Sequence, residues 1–131
     1  MIKKRITYTD YNGVERIEDF YFNLSTAEIT EMEVSTEEGY GEKLMRIVDS
    51  QSKPEMFAIF KEFIAKSYGI KSEDGKQFRK SKEITDSFMQ SEAYSILLLD
   101  ITQNEGTAVE FINGIMPKNI PDTRKTQIQQ A

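Results

Sequence analysis

No cysteine and no histidine occur among the 131 residues, there is no tryptophan, and proline appears only three times. Without cysteine the chain can form neither a disulfide nor a thiolate metal site. Without histidine it lacks the commonest general base and the commonest neutral metal ligand. A long apolar run is missing too: none, Ile96 to Leu99 included, approaches the ~18 residues that span a bilayer. The opening Met1-Ile2-Lys3-Lys4-Arg5-Ile6-Thr7 is basic but lacks the apolar stretch of a secretion signal. These absences predict a protein that stays in the cytoplasm with no membrane partner. Excess positive charge is also lacking. The formal charge is -5 and the sequence pI about 4.9, which argues against a nucleic-acid partner, because phosphate binding needs clustered Lys and Arg.

What is present reads as one globular domain, 1–117, followed by a flexible tail, 118–131. The expected fold class is α+β, mostly α: an N-terminal β-hairpin, 2–22, packed on a bundle of about five or six short helices between 25 and 116. Residues 2–8 and 14–22 are rich in β-branched and aromatic residues, and Asp10-Tyr11-Asn12-Gly13 between them is a hairpin signal, because Asn and Gly tolerate positive φ. Ser25-Thr26-Ala27-Glu28 has capping-box spacing, flanked by Leu24 and Ile29 as a hydrophobic staple, and predicts a helix from Thr26 to about Glu33. A second helix carries Leu44, Ile47 and Val48 to about Gln51. Pro54 suits a helix's first turn, and Met56, Phe57, Phe60, Phe63, Ile64 and Tyr68 follow on one stripe, with Gly69 as its stop. Residues 69–78 read as a polar loop turning at Asp74-Gly75. Ser81 should cap a helix bearing Ile84, Phe88 and Met89, and Ser91 should restart it. Tyr94 to Leu99 is apolar on nearly all sides and predicts a central buried helix. Thr107-Ala108-Val109-Glu110 has capping-box spacing and predicts the start of the last helix. The expected core includes Leu97, Leu98, Phe60, Ile64, Phe88 and Ile112.

Searches for chemistry end without a site: no catalytic, cofactor-binding or metal-binding residues are expected, and no cofactor. Gly69 and Gly75-Lys76 superficially suggest a phosphate loop, but five residues separate the glycines instead of four, and Gln77 stands where Ser or Thr must hold magnesium. A calcium loop centred on Gly75 would put Ile70 and Ser81 at its end positions, and neither supplies a carboxylate. Glu28 and Glu31 can share a helix face, as acid pairs do on most acidic helices. Residues 23–50 hold seven acids against two bases, while 51–91 hold eight bases against six acids. The acidic stretch reads as a solvated helix face or as a docking surface for a basic partner.

Several blocks together resemble a known family. They are Ile6-Thr7-Tyr8-Thr9-Asp10-Tyr11-Asn12-Gly13 with Glu18-Asp19-Phe20-Tyr21-Phe22-Asn23-Leu24, then Lys66-Ser67-Tyr68-Gly69 with Asp74-Gly75-Lys76-Gln77-Phe78 and Lys80-Ser81. The last are Phe88-Met89-Gln90-Ser91-Glu92-Ala93-Tyr94 and Phe111-Ile112-Asn113-Gly114-Ile115-Met116-Pro117. Over residues 2–118 the chain resembles the phage tail assembly chaperones of long-tailed phages and prophages of Gram-positive bacteria. The resemblance implies a non-enzymatic protein that binds the tape measure protein and keeps it soluble while tail tube subunits polymerise, and that is absent from the mature virion. Its implied partners are the tape measure and tail tube proteins. The alternative is a structural virion component, such as a tail-completion or connector protein. The oligomeric state stays open, with a homo-oligomer among the alternatives. A client helix would lie on an apolar edge left by the helices carrying Met56, Phe57 and Tyr68 and carrying Phe88 and Tyr94, with Glu28 and Glu31 steering its basic parts.

Overall fold

The computed structural model describes residues 1–35 and 39–117; the expected tail, 118–131, and the side chain of Val48 lie outside the described residues. Strands β1 (Ile2–Thr9) and β2 (Glu15–Phe22) form the expected hairpin, with Ile2 opposite Phe22 and Thr9 opposite Glu15. Its turn differs in detail from the sequence expectation. Only Gly13 takes a positive φ (80°), and Asn12 does not. The Gly13 N–H donates to the Asp10 carbonyl and the Asp10 N–H to the Val14 carbonyl, giving a three-residue loop. The Asp10 carboxylate accepts from the amides of Asn12 and Val14 and from Arg16. Those bonds, Arg16 foremost, hold its carboxyl below the usual carboxylate range.

Among the described residues six helices follow or interleave: α1 (Thr26–Val34), α2 (Tyr40–Ser50), α3 (Lys53–Ser67), α4 (Lys82–Met89), α5 (Glu92–Gln103) and α6 (Glu105–Ile115). The α1 capping box is made as expected, Ser25 accepting from the Glu28 amide and Glu28 from the Ser25 amide. Ser52, Ser81 and Ser91 accept likewise at the starts of α3, α4 and α5. Short polar caps thus punctuate most of the helical half of the chain.

Four expectations are corrected. Residues 69–78 are not simply a polar loop: β3 (Tyr68–Lys71) and β4 (Phe78–Arg79) extend the hairpin into a four-stranded antiparallel sheet of order β1-β2-β3-β4. Periodicity could not show strands this short. The turn between them does use Asp74-Gly75, with Gly75 at φ +75°. Gly69 is not a left-handed helix stop, for α3 runs directly into β3 through Tyr68 in an extended conformation. Glycine is required there because an added Cβ would lie 2.7 Å from the Phe78 ring and 2.9 Å from the Arg79 carbonyl oxygen. The capping box at Thr107 is not formed. The last helix begins two residues earlier, at Glu105, and the Thr107 hydroxyl instead faces the Asp100 carboxylate at 3.5 Å. Finally, α5 is buried on one side only. Ala93, Leu97 and Ile101 lie in the core, Leu98 is half-buried, and Ile96 and Leu99 are exposed.

The core joins sheet to helices. Phe22, Leu24, Phe63, Ile64, Phe111 and Ile115 are its most enclosed side chains, with Phe60, Phe88 and Leu97 beside them. Of the expected core residues, Leu98 and Ile112 pack against this cluster while staying partly accessible. Burying an aliphatic or aromatic side chain of this kind stabilises by about 1.5–3 kcal/mol.

Segment 22–24 is where the elements converge. The Asn23 amide donates to the Ser67 carbonyl at the end of α3, and the Leu24 amide to the Ile115 carbonyl at the end of α6. Both helix ends would otherwise leave carbonyls without partners. Lys80 completes the junction. Its ammonium donates to the carbonyls of Asn23 (2.7 Å) and Lys66 (2.7 Å) and to the Glu28 carboxylate (2.8 Å). One cation therefore ties together β2, α1 and the C-terminal end of α3, where the helix dipole also favours positive charge.

Candidate functional site: an apolar groove and a charged cleft

The aromatic residues expected at a binding edge mostly face inward. Phe88 is buried, and the Tyr68 ring stacks on it with centroids 4.5 Å apart. Phe20 and Phe22 approach the Phe88 ring at 5.1 and 5.6 Å, and Tyr94 meets it edge-on at 6.1 Å. Such tilted and offset pairs are favoured by the ring quadrupoles. Burial raises the hydroxyl pKa values of Tyr68 and Tyr94. Phe88, Tyr68 and Tyr94 therefore weld β2 and β3 to α4 and α5. Phe88 is enclosed there, while Tyr68 and Tyr94 stay half-buried.

Met56 and Phe57 sit elsewhere, on the first half of α3. Phe57 is 42% exposed, and Met56 lines a groove of about 610 Å³. Phe60, Leu44, Ile101, Ala108, Val109 and Ile112 supply the rest of its apolar lining. Gln51, Thr102, Gln103, Glu105 and Asn113 provide polar groups around them. Four helices contribute: α2 and α3 on one side, the end of α5 and the length of α6 on the other. Val109 is 55% exposed within the groove, and α2 contributes Leu44. The sequence reading missed the contribution of α2, α5 and α6. A signal did exist: Val109 and Ile112, three residues apart on α6, carry the apolar stripe toward solvent beyond the buried Phe111 and Ile115.

Glu28 and Glu31 line a different cleft, also about 610 Å³, between α1, the end of α3 and the start of α4. Its cations are matched by acids. Lys80 pairs with Glu28 at 2.8 Å, Lys82 with Asp86 at 2.7 Å and Lys66 with Glu62 at 3.0 Å. Partial burial works to raise the Glu28 pKa, but the bonds from Lys80 and from the Ser25 amide outweigh it, and the carboxyl titrates below its ordinary value. Glu28 is thereby committed to the fold, while Glu31 stays exposed at the cleft. The structure thus separates the expected site residues into three places: the aromatic core, the α3 groove and the charged cleft.

Among the described residues no group of three or more His, Cys, Asp or Glu could hold a metal ion. Among them, too, no helix is long and apolar enough to cross a membrane. The groove offers apolar contact with a neutral to weakly acidic border, which is the chemistry of protein binding.

Neither the curated proteins nor the solved structures provide a match to the chain. A family model does, and it is described as phage tail assembly chaperone and matches residues 1–131. With the whole length matched, the chain belongs to the phage tail assembly chaperone family.

Proposed function

We propose that this protein binds the tape measure protein in the host cytoplasm and keeps it soluble while tail tube subunits polymerise, leaving before the virion is complete. The observation that carries the reading is the groove bounded by Met56, Phe60, Ile101, Val109 and Ile112 with its polar border. An amphipathic client helix laid there buries its apolar stripe against these side chains, while its flanks meet Gln51, Gln103 and Asn113. A groove of this kind recognises a stripe of apolar residues instead of one sequence, as a long client requires. Met56, unbranched and polarizable, adapts to differing side chains along that stripe.

The family assignment supports a client among the phage tail proteins. The client's identity is tested by co-expression with the neighbouring tape measure gene, comparing soluble yield and co-purification with and without this protein. Val109→Glu, at an exposed position, should leave the melting temperature unchanged while abolishing the gain in soluble client. Presence of the protein in purified virions, with no gain in client solubility, would refute this reading and favour a structural component.

A further inference from the structure

The apolar groove has two unlike ends. From α6 it is lined by Glu105, Ala108, Val109, Ile112 and Asn113. Counted from Glu105, steps of three, four, seven and eight residues put all five on one helix face. At about 1.5 Å per residue they extend over roughly 12 Å, a little more than two turns. The groove therefore follows the axis of α6, with its apolar residues in the middle, Glu105 at one end and Asn113 at the other. The facing wall, Leu44, Gln51, Met56 and Phe60, carries no charge, and Glu105 is the one charged side chain in the lining. Glu105 is exposed, and among the described residues no cation pairs with it. An acid in a helix's first turn suits the helix dipole, and the other five helices carry one too. Of these acids Glu105 alone stands in the groove. The acids expected to steer a client, Glu28 and Glu31, lie in the other cleft, where Glu28 is held by Lys80.

Taking the groove as the client site, as proposed above, we infer that Glu105 sets the charge and the direction of the client: an amphipathic helix of about two turns, antiparallel to α6, with a lysine or arginine of its last turn against Glu105. The apolar part of the match is a stripe at i, i+3 and i+7 laid between Val109 and Ile112 on one side and Met56 and Phe60 on the other. A stripe of this kind has no direction of its own. The cation supplies one. Lysine and arginine are favoured in a helix's last turn, where they complement the negative end of the dipole, so one residue serves both the client's own helix and Glu105. The antiparallel arrangement also sets the positive N-terminal end of the client beside the negative C-terminal end of α6. A segment with an acid in its last turn is repelled by Glu105. A segment with its cation in the first turn reaches Glu105 only by running parallel to α6, with like dipole ends together.

Three synthetic peptides of equal length and with the same leucine stripe test the inference. One carries lysines in its last turn, one carries them in its first turn, and one has glutamine at both places. Side-chain staples keep them helical, since helices this short are marginal in water. Fluorescence anisotropy with the full chain gives each Kd. The peptide with last-turn lysines should bind about two- to fivefold more tightly than the glutamine peptide, the scale of an exposed ion pair, and more tightly than the one with first-turn lysines. Its advantage should shrink as salt is raised. Glu105→Gln should bring the ratio between the lysine and glutamine peptides to about one, and Glu105→Lys should invert it. Equal binding of the lysine and glutamine peptides by the parent overturns the inference and leaves the groove as the client site. A ratio that survives Glu105→Gln, or a preference for first-turn lysines, does the same. Failure of all three peptides to bind up to millimolar concentration overturns the groove reading and the inference with it.

Discussion

Replacing Lys80 by methionine removes one ammonium group and keeps most of the side chain's apolar volume. The structure allows the consequence to be worked out bond by bond. Three ammonium protons have three acceptor groups, the carbonyls of Asn23 and Lys66 and the Glu28 carboxylate, so no donor capacity is idle. Hydrogen bonds to a charged group contribute about 1.5–3 kcal/mol each when buried. The Lys80 and Glu28 side chains are 21% and 36% exposed, which screens their attraction and discounts the sum. A net loss of roughly 2–4 kcal/mol is expected, a large part of the 5–15 kcal/mol typical of a domain. Urea unfolding at neutral pH should show a lower midpoint with an unchanged slope. The pH dependence gives a second reading. The folded-state pKa of Glu28 is lowered, so the stability it contributes is present above the unfolded carboxylate pKa and lost as pH falls through the folded value. The gap between parent and Lys80→Met should therefore narrow on acidification below the ordinary carboxylate range. A midpoint shift equivalent to less than about 0.5 kcal/mol, the scale of an ordinary surface substitution, would show that the junction at Asn23 holds without its cation.

Gly69→Ala should destabilise by about 1–3 kcal/mol, because the new Cβ meets the Phe78 ring and the Arg79 backbone at once; thermal unfolding of the variant measures it. Leu97→Asp should unfold the domain, whereas Leu98→Asp, at a half-buried position, should leave a folded protein with a lower midpoint. Circular dichroism on both variants decides, and equal effects would refute the one-sided burial of α5. Asp10→Ala should speed amide exchange at the hairpin tip, since that carboxylate accepts from two loop amides and Arg16. A chain ending at Pro117 should melt like the full one, because every core residue among those described lies between Ile6 and Ile115; a lower melting temperature would move the domain boundary.

Local chemistry by itself determined the hairpin and most of the helix starts. Asp10 through Gly13, the Ser25–Glu28 capping box, Ser52 before Pro54, Ser81 and Ser91 each act on backbone groups two to four residues away, so neighbouring letters suffice to reveal them. The Thr107 spacing shows the limit of such reasoning, since the same letters serve no cap once Asp100 on α5 lies within reach of the hydroxyl. Short strands were decided only in three dimensions. β3 and β4 hold four and two residues, too few for any period, and exist because β2 offers an edge to Tyr68 and Gly69. The sides of α5 were settled the same way, as an apolar run does not say which of its faces meets the sheet. Membership of the family was legible over residues 2–118 because it rests on linear blocks. The groove was not, because its lining comes from α2, α3, α5 and α6, and only packing brings Leu44, Met56, Ile101 and Val109 to one place.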